Sequence, residues 1–570
     1  MATLRAFPSR FVLALALGAC GGSTTSVPLS GTPLPADLTF TGANGSPVPL
    51  STYLRPKEDP RSLLVIRLQT PWCGPCQWQR GHSGELAKLS PAGRVRLLDL
   101  LLTGLDNGPP TATDVVDWQA RGDLPVDTVA DPGLQLASHF PARAALPLIL
   151  IVDTRTRIPL ATLSSPTADE LAEAIHTALA RIEGRPIPTT PDAPTLVDDR
   201  FTRDQWDMVT GMILPPSASR DPTNTREGDP SAIALGKDLF FDADLSPSPK
   251  QVSCGSCHAP DLLFQDGKDQ APEGVGLGAR NVPTVVLAPE QRSQFWDGRA
   301  DSAWGQAIMP IEDPNEMAST RLFVAHTVAR KYPDRYAALF GPLPPLADGA
   351  RFPAAGKPGD AAWDGLAAGD KIAINTVFAN VGKAMAAYEK SLWPKANRFD
   401  RYASGETQAL TEREKDGLSA FFQAGCIQCH NGPRLTDDSF HALRFPTGRH
   451  DRTPDPGRLE AIPKLLANEF LRSSVYSDAP TQVAPASQGP ALVGAFKTPG
   501  LRGVGYTLPY GHGGSFGGLA STIEAHRNAG LPKDSPYAVG VAEPWLVDFD
   551  PALIPKIGDF LLALTMDLPP

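Results

Sequence analysis

The 570-residue sequence contains no apolar run approaching the ~20 residues a membrane-crossing helix needs, and no long basic stretch that would follow a phosphate backbone. A mature membrane span and a nucleic-acid partner are therefore not expected. Cysteine is scarce, with 7 residues, and it is not scattered in the way a disulfide-stapled scaffold requires. Cys73 pairs with Cys76, Cys254 with Cys257 and Cys426 with Cys429 at Cys-x-x-Cys spacing, and Cys20 stands alone. Such pairs point to redox thiols or redox cofactors. Charge leans acidic, with 52 basic against 62 acidic residues and a net −10, which suits encounter with a basic electron carrier.

At the start of the chain, Arg5 and Arg10 precede the apolar run Phe11 to Leu17, and Leu17-Gly18-Ala19-Cys20 supplies small residues for cleavage. Residues 1–19 resemble a bacterial lipoprotein signal, with Cys20 as the acylated residue and 20–36 as a Ser/Thr/Pro/Gly-rich tether. The resemblance implies a lipid-anchored protein of the cell envelope that faces the periplasm. Gly21, rather than an acidic residue, after Cys20 favours the outer membrane over the inner.

Residues 37–184 read as an α/β domain. Leu63 to Leu68 and Leu148 to Val152 are short buried-strand candidates with helix-like sequence between them. A helix is expected from Ser165-Pro166 through Leu171, Ile175 and Leu179 to Gly184. Four prolines in 185–194 mark a linker, taken as 185–200. Beyond it the strand signal fades into Gly- and Pro-rich loops alternating with helical stretches such as Lys371 to Leu392 and Glu412 to Phe422. The fold class expected is multidomain: an α/β domain, then two mostly α-helical domains at 201–395 and 396–570.

Trp72-Cys73-Gly74-Pro75-Cys76 follows directly on a strand, which places Cys73 at a helix N-terminus, where partial positive charge favours a thiolate. Cys76, one turn on, is positioned to resolve a mixed disulfide. These residues, with Leu146-Pro147 ahead of a strand, resemble the active site and cis-proline loop of thioredoxin-like proteins. The resemblance implies thiol–disulfide exchange by Cys73 and Cys76. A structural disulfide and a metal site remain as alternatives. The substrate stays open between peroxide, the haem-attachment cysteines of an apocytochrome and another protein.

Cys254-Gly255-Ser256-Cys257-His258 and Cys426-Ile427-Gln428-Cys429-His430 are CxxCH motifs, in which two thiols bind porphyrin covalently and the adjoining histidine ligates iron. Two covalently bound c-type haems are expected. Around them, Leu239-Phe240-Phe241-Asp242, Arg280-Asn281-Val282-Pro283-Thr284, Phe295-Trp296-Asp297-Gly298-Arg299, Thr498-Pro499-Gly500-Leu501-Arg502 and Pro509-Tyr510-Gly511-His512-Gly513-Gly514 resemble, in order, the bacterial di-haem cytochrome c peroxidase and MauG family.

The resemblance implies a peroxidatic haem domain at 201–395 and an electron-transfer haem domain at 396–570. It implies Glu316 as the acid–base group for peroxide, Gln306 orienting the oxidant and Trp296 as conduit between the haems. It also implies a calcium ion at Asn281, Thr507 and Pro509, and His512 against a haem propionate. Some family members block the first haem with a distal histidine in the loop that reads here Gly274-Val275-Gly276-Leu277-Gly278. No histidine lies between His258 and His326, so a first haem open to peroxide is expected, with Gln306 and Pro310 on its distal side. Where the family places a Met or Tyr ligand to the second haem, this sequence has His526; the only methionine after Cys429 is Met566.

Three activities follow from the resemblance. The first is reduction of hydrogen peroxide to water with electrons from a small cytochrome c or cupredoxin. The second is a MauG-like oxidation of a protein or small organic substrate. The third is a non-catalytic relay coupling thiol and haem redox.

Overall fold

A computed structural model describes residues 32–54, 63–88, 93–186, 196–268, 274–447, 453–481 and 490–568. The signal segment, Cys20 and most of the linker lie outside the described residues. No helix among those described is long and apolar enough to cross a membrane.

The N-terminal region is a seven-stranded mixed sheet of order β2-β1-β5-β4-β3-β6-β7. The strands are β1 (Thr39–Thr41), β2 (Pro47–Pro49), β3 (Leu63–Gln69), β4 (Val95–Leu101), β5 (Asp127–Ala130), β6 (Leu148–Asp153) and β7 (Pro159–Ser164). Every residue of β3 is buried, because β3 is central: it pairs parallel with β4 and antiparallel with β6, setting Ile66 opposite both Leu98 and Leu150. One face packs on the helix Ala168–Glu183 through Leu171, Ile175 and Leu179. Thr167 caps that helix in a capping box, and Gly184, at φ 66°, ends it. The helix Gly74–Gly81 begins where β3 ends, with Cys73 as its N-cap. This arrangement, with the cis Leu146–Pro147 bond, resembles a thioredoxin-like fold. The expectation of helix alone between Leu68 and Leu148 missed β4 and β5, whose apolar residues mix with Arg96, Asp99 and Asp127. The expected tether, 20–36, also ends too late: Leu34 is buried with Phe40 and Leu50, and its N–H donates to Arg157 O at 2.8 Å.

The remainder is mostly helical. One core gathers the helices Pro230–Phe241, Ala303–Glu312, Arg321–Lys331 and Ala368–Ser391. A second gathers Glu412–Gln423 and Leu553–Ala563 around Phe399, Phe421 and Phe560. The expected boundaries at 201 and 395 do not separate these cores. Phe201, Val209 and Met212 of the segment carrying the helix Arg203–Gly211 pack into the second core, while Phe470 packs into the first. The chain thus enters over the second half before building the first, because the apolar side chains of that helix complement Phe399 and Tyr402. Asp198, assigned to the linker, accepts from Tyr402 Oη at 2.7 Å.

Candidate active site

Between the two cores lies a cavity of about 580 Å³ lined by His258, Trp296, Gln306, Pro310 and Glu316 from the first half and by His430, His512 and His526 from the second. Both CxxCH motifs open onto it, since Cys257, Cys426 and Cys429 line it as well.

The motif histidines are held alike. His258 Nδ1 bonds the carbonyl of Phe264 at 2.9 Å and His430 Nδ1 that of Leu435 at 3.1 Å. Each bond commits Nδ1 as donor and leaves Nε2 as the lone-pair nitrogen, the arrangement a metal-ligating imidazole needs. Burial lowers the pKa of His258; burial, with His526 nearby, lowers that of His430 to about 4, so both rings are neutral. His526 Nδ1 bonds Thr522 O at 2.8 Å, and its ring centroid lies 6.4 Å from that of His430. That spacing fits two imidazoles binding opposite sides of one metal ion through bonds of about 2 Å. The residues present therefore fit a haem iron ligated by two histidines in the second half and by His258 in the first.

Also lining the cavity, Glu316 follows the turn after the helix Ala303–Glu312 that carries Gln306 and Pro310. Val275 N–H donates to Glu316 O at 2.9 Å and Gly276 N–H to Asn315 O at 2.8 Å. This pairing requires glycine at 274: a Cβ there would stand 2.3 Å from Asn315 O. The loop without histidine is therefore what holds Glu316 in place. Burial, reinforced by Asp313 and opposed by Arg299, raises the Glu316 pKa to about 7.

Trp296 spans the boundary between halves. Its Nε1–H donates to Asn281 O at 2.9 Å, and its carbonyl accepts from Lys497 N–H at 2.8 Å. Asn281 in turn ties the halves together, donating from its backbone to His512 O at 2.9 Å and from Nδ2 to Pro509 O at 2.8 Å. Its Oδ1 is buried without a partner, and Thr507 and Pro509 line the same cavity. Such an oxygen is what a hard cation takes. His512 is buried and stacks on Phe496 with centroids 3.6 Å apart.

Cys73 and Cys76 are joined as a disulfide and fully buried, outside this cavity. Cys73 Sγ accepts from Cys76 N–H at 3.2 Å, as its N-terminal position predicts.

Three groups lining the cavity escaped the sequence reading. Burial raises the Glu389 pKa to about 8 and, despite Asp438, lowers that of Lys497 to about 8. His441 sits between Asp437 and Glu543, at 2.9 Å from each, beside Cys429. Glu389 lies within a helical pattern and reads as surface. The partners of His441 include one 102 residues away, which no local spacing reveals.

Residues 230–408 match the family model described as di-haem cytochrome c peroxidase. The cytochrome c551 peroxidase of Nitrosomonas europaea is 29% identical over 341 residues, covering 59% of this chain and 80% of that protein. The cytochrome c551 peroxidase of Pseudomonas aeruginosa is 32% identical over 308 residues, covering 52% of this chain and 72% of that protein. The methylamine utilization protein MauG of Methylorubrum extorquens is 32% identical over 313 residues, covering 54% and 71%. Two c-type haems are the cofactors that go with this similarity. The chain belongs to the di-haem cytochrome c peroxidase and MauG family and is an oxidoreductase of the peroxidase type.

Proposed function

We propose that the chain reduces hydrogen peroxide to water in the first half of the cavity, with electrons arriving through the second half from a small cytochrome c or cupredoxin. The observation that carries this reading is Glu316, held by the glycine loop at the wall of the cavity that His258 also lines, with a pKa raised to about 7 and with no histidine in that loop. Cys254, Cys257 and His258 would hold a c-type haem, whose iron would supply the redox centre for peroxide. Glu316, as carboxylate, takes the proton from the oxygen nearer the iron and returns it to the departing oxygen. A pKa near the working pH suits both transfers. Gln306, one helix turn before Pro310, is placed to hydrogen-bond the oxidant. Cys426, Cys429, His430 and His526 would hold a second haem, which would supply an electron-transfer centre, with Trp296 between the halves. A calcium ion on Asn281 Oδ1 and the carbonyls of Thr507 and Pro509 belongs to the same reading; the unpartnered Oδ1 supports it. His512 is read as a propionate contact. Anchorage to the envelope through Cys20, with the outer membrane favoured, is part of this proposal and rests on the sequence alone.

The test is stopped-flow turnover of peroxide with reduced cytochrome c as donor. Glu316→Gln is expected to lower kcat by roughly 10²- to 10⁴-fold, the usual weight of a general acid–base, and the wild-type kcat/KM should rise through pH ~7 as Glu316 ionises. A Glu316→Gln variant with full turnover contradicts the assignment. Donor-independent accumulation of an oxidised protein or organic product would instead favour the MauG-like reading.

A further inference from the structure

The thiol pair does not face solvent. Trp72, Cys73 and Cys76 are fully buried in a cluster that also takes in Trp545 and Cys429 from the second half. The CxxCH turn of the second motif covers the start of the CxxC helix so closely that a Cβ on Gly74 would stand 2.8 Å from Ile427 O and from Asn431 Cβ. Asn431 Nδ2 donates to Trp72 O at 3.3 Å. On the other side of the disulfide, the N–H of Leu146, ahead of the cis proline, donates to Gln428 Oε1 at 2.8 Å. The Trp72 ring meets His441 edge-on at 4.7 Å and Trp545 at 5.7 Å, and Arg143 Nε donates to Leu546 O at 2.6 Å. The approach to Cys73 is thus covered by the second haem-attachment turn together with His441, Trp545 and Leu546.

With haem attached, Cys426 and Cys429 are thioethers and cannot exchange with a thiol. What remains possible across this contact is electron transfer. We propose that Cys73 and Cys76 form an internal redox couple for the second haem: as the dithiol, the pair supplies the two electrons that reduction of one peroxide consumes. This rests on the peroxidase reading and names a donor within the chain. The balance closes. Two S–H bonds break and one S–S bond forms; two electrons pass singly through the Ile427–Cys429 turn, and two protons are released to solvent. At the first half the O–O bond breaks and takes up two electrons and two protons to give two waters. The net reaction is one dithiol and one hydrogen peroxide to one disulfide and two waters, and a small-molecule dithiol restores the pair.

The test uses the full haem-loaded chain, reduced anaerobically with dithiothreitol, desalted, mixed with one equivalent of hydrogen peroxide and quenched in acid for alkylation. Mass spectrometry then counts free Cys73 and Cys76 against time. Both thiols should disappear at least tenfold faster in the wild-type chain than in Glu316→Gln, or than in azide-blocked wild-type protein should that variant fail to fold. Equal rates would mean direct oxidation of the thiols by peroxide and overturn the proposal. Thiols that persist while the same protein consumes peroxide with reduced cytochrome c would overturn it too, leaving the peroxidase reading intact. Thiols that persist in a protein that also fails to consume peroxide with reduced cytochrome c would overturn both.

Discussion

The two CxxCH halves share a motif and a histidine tether and differ in what faces them. In the first half, the cavity wall that includes His258 also carries Gln306, Pro310 and Glu316, whose pKa is raised to about 7. In the second half, His526 stands 6.4 Å from His430, ring to ring. The surroundings of the attachment cysteines differ as well. Beside Cys254 lies Glu389, whose pKa burial raises to about 8. Beside Cys429, His441 is held between Asp437 and Glu543; burial lowers its pKa, but the negative charges of Cys429, Glu543 and Asp437 outweigh burial and raise it. On the proposed reading, an identical covalent motif becomes a reactive site or a closed electron carrier according to the few side chains around it. The thiol domain sharpens the contrast, since it packs on the second half through Gln428, Asn431 and Trp545.

Gly274→Ala should weaken the comparison most, because the added Cβ would meet Asn315 O at 2.3 Å and push the Glu316 segment away from its place. A loss of kcat of roughly 10- to 100-fold is expected, the scale of a misplaced catalytic group, with the spectrum of the second haem unchanged. Steady-state turnover and optical spectra of the variant check both parts. A smaller effect falls on stability. Glu389 has its folded pKa raised from 4.5 to about 8 by burial, so the stabilisation linked to its protonation is full below the unfolded value and is lost as pH rises through about 8. Glu389→Gln should therefore lose less stability than wild type between pH 5 and 8, by on the order of 3 kcal/mol at most. Thermal melts across that range would show parallel curves if Glu389 stayed ionised throughout.

Much of this arrangement was legible in the sequence because it rests on short-range spacing. The CxxCH motifs, the CxxC at a helix start, the helix ending at Gly184 and the run from Trp296 through Gln306 to Glu316 are all local patterns. His526 was found by its place after a motif and by the scarcity of methionine. What escaped was set by packing between distant segments. β4 alternates charge with apolar residues because Asp99 is buried against Arg67, at 2.7 Å, a pairing that periodicity cannot foresee. The helix Arg203–Gly211 joins the second core rather than the first because its apolar face fits Phe399 and Tyr402. The sealing of Cys73 under the second attachment turn depends on Gln428, Asn431 and Trp545, more than 350 residues beyond it in the chain.

The difference between the halves is tested most directly by low-temperature electron paramagnetic resonance of the oxidised, haem-loaded protein and its His526→Ala variant. One high-spin and one low-spin signal are predicted for the natural chain, with the low-spin signal lost when His526 is removed. Two low-spin signals in the natural chain, or a low-spin signal that survives His526→Ala, would contradict an open first half paired with a closed second one.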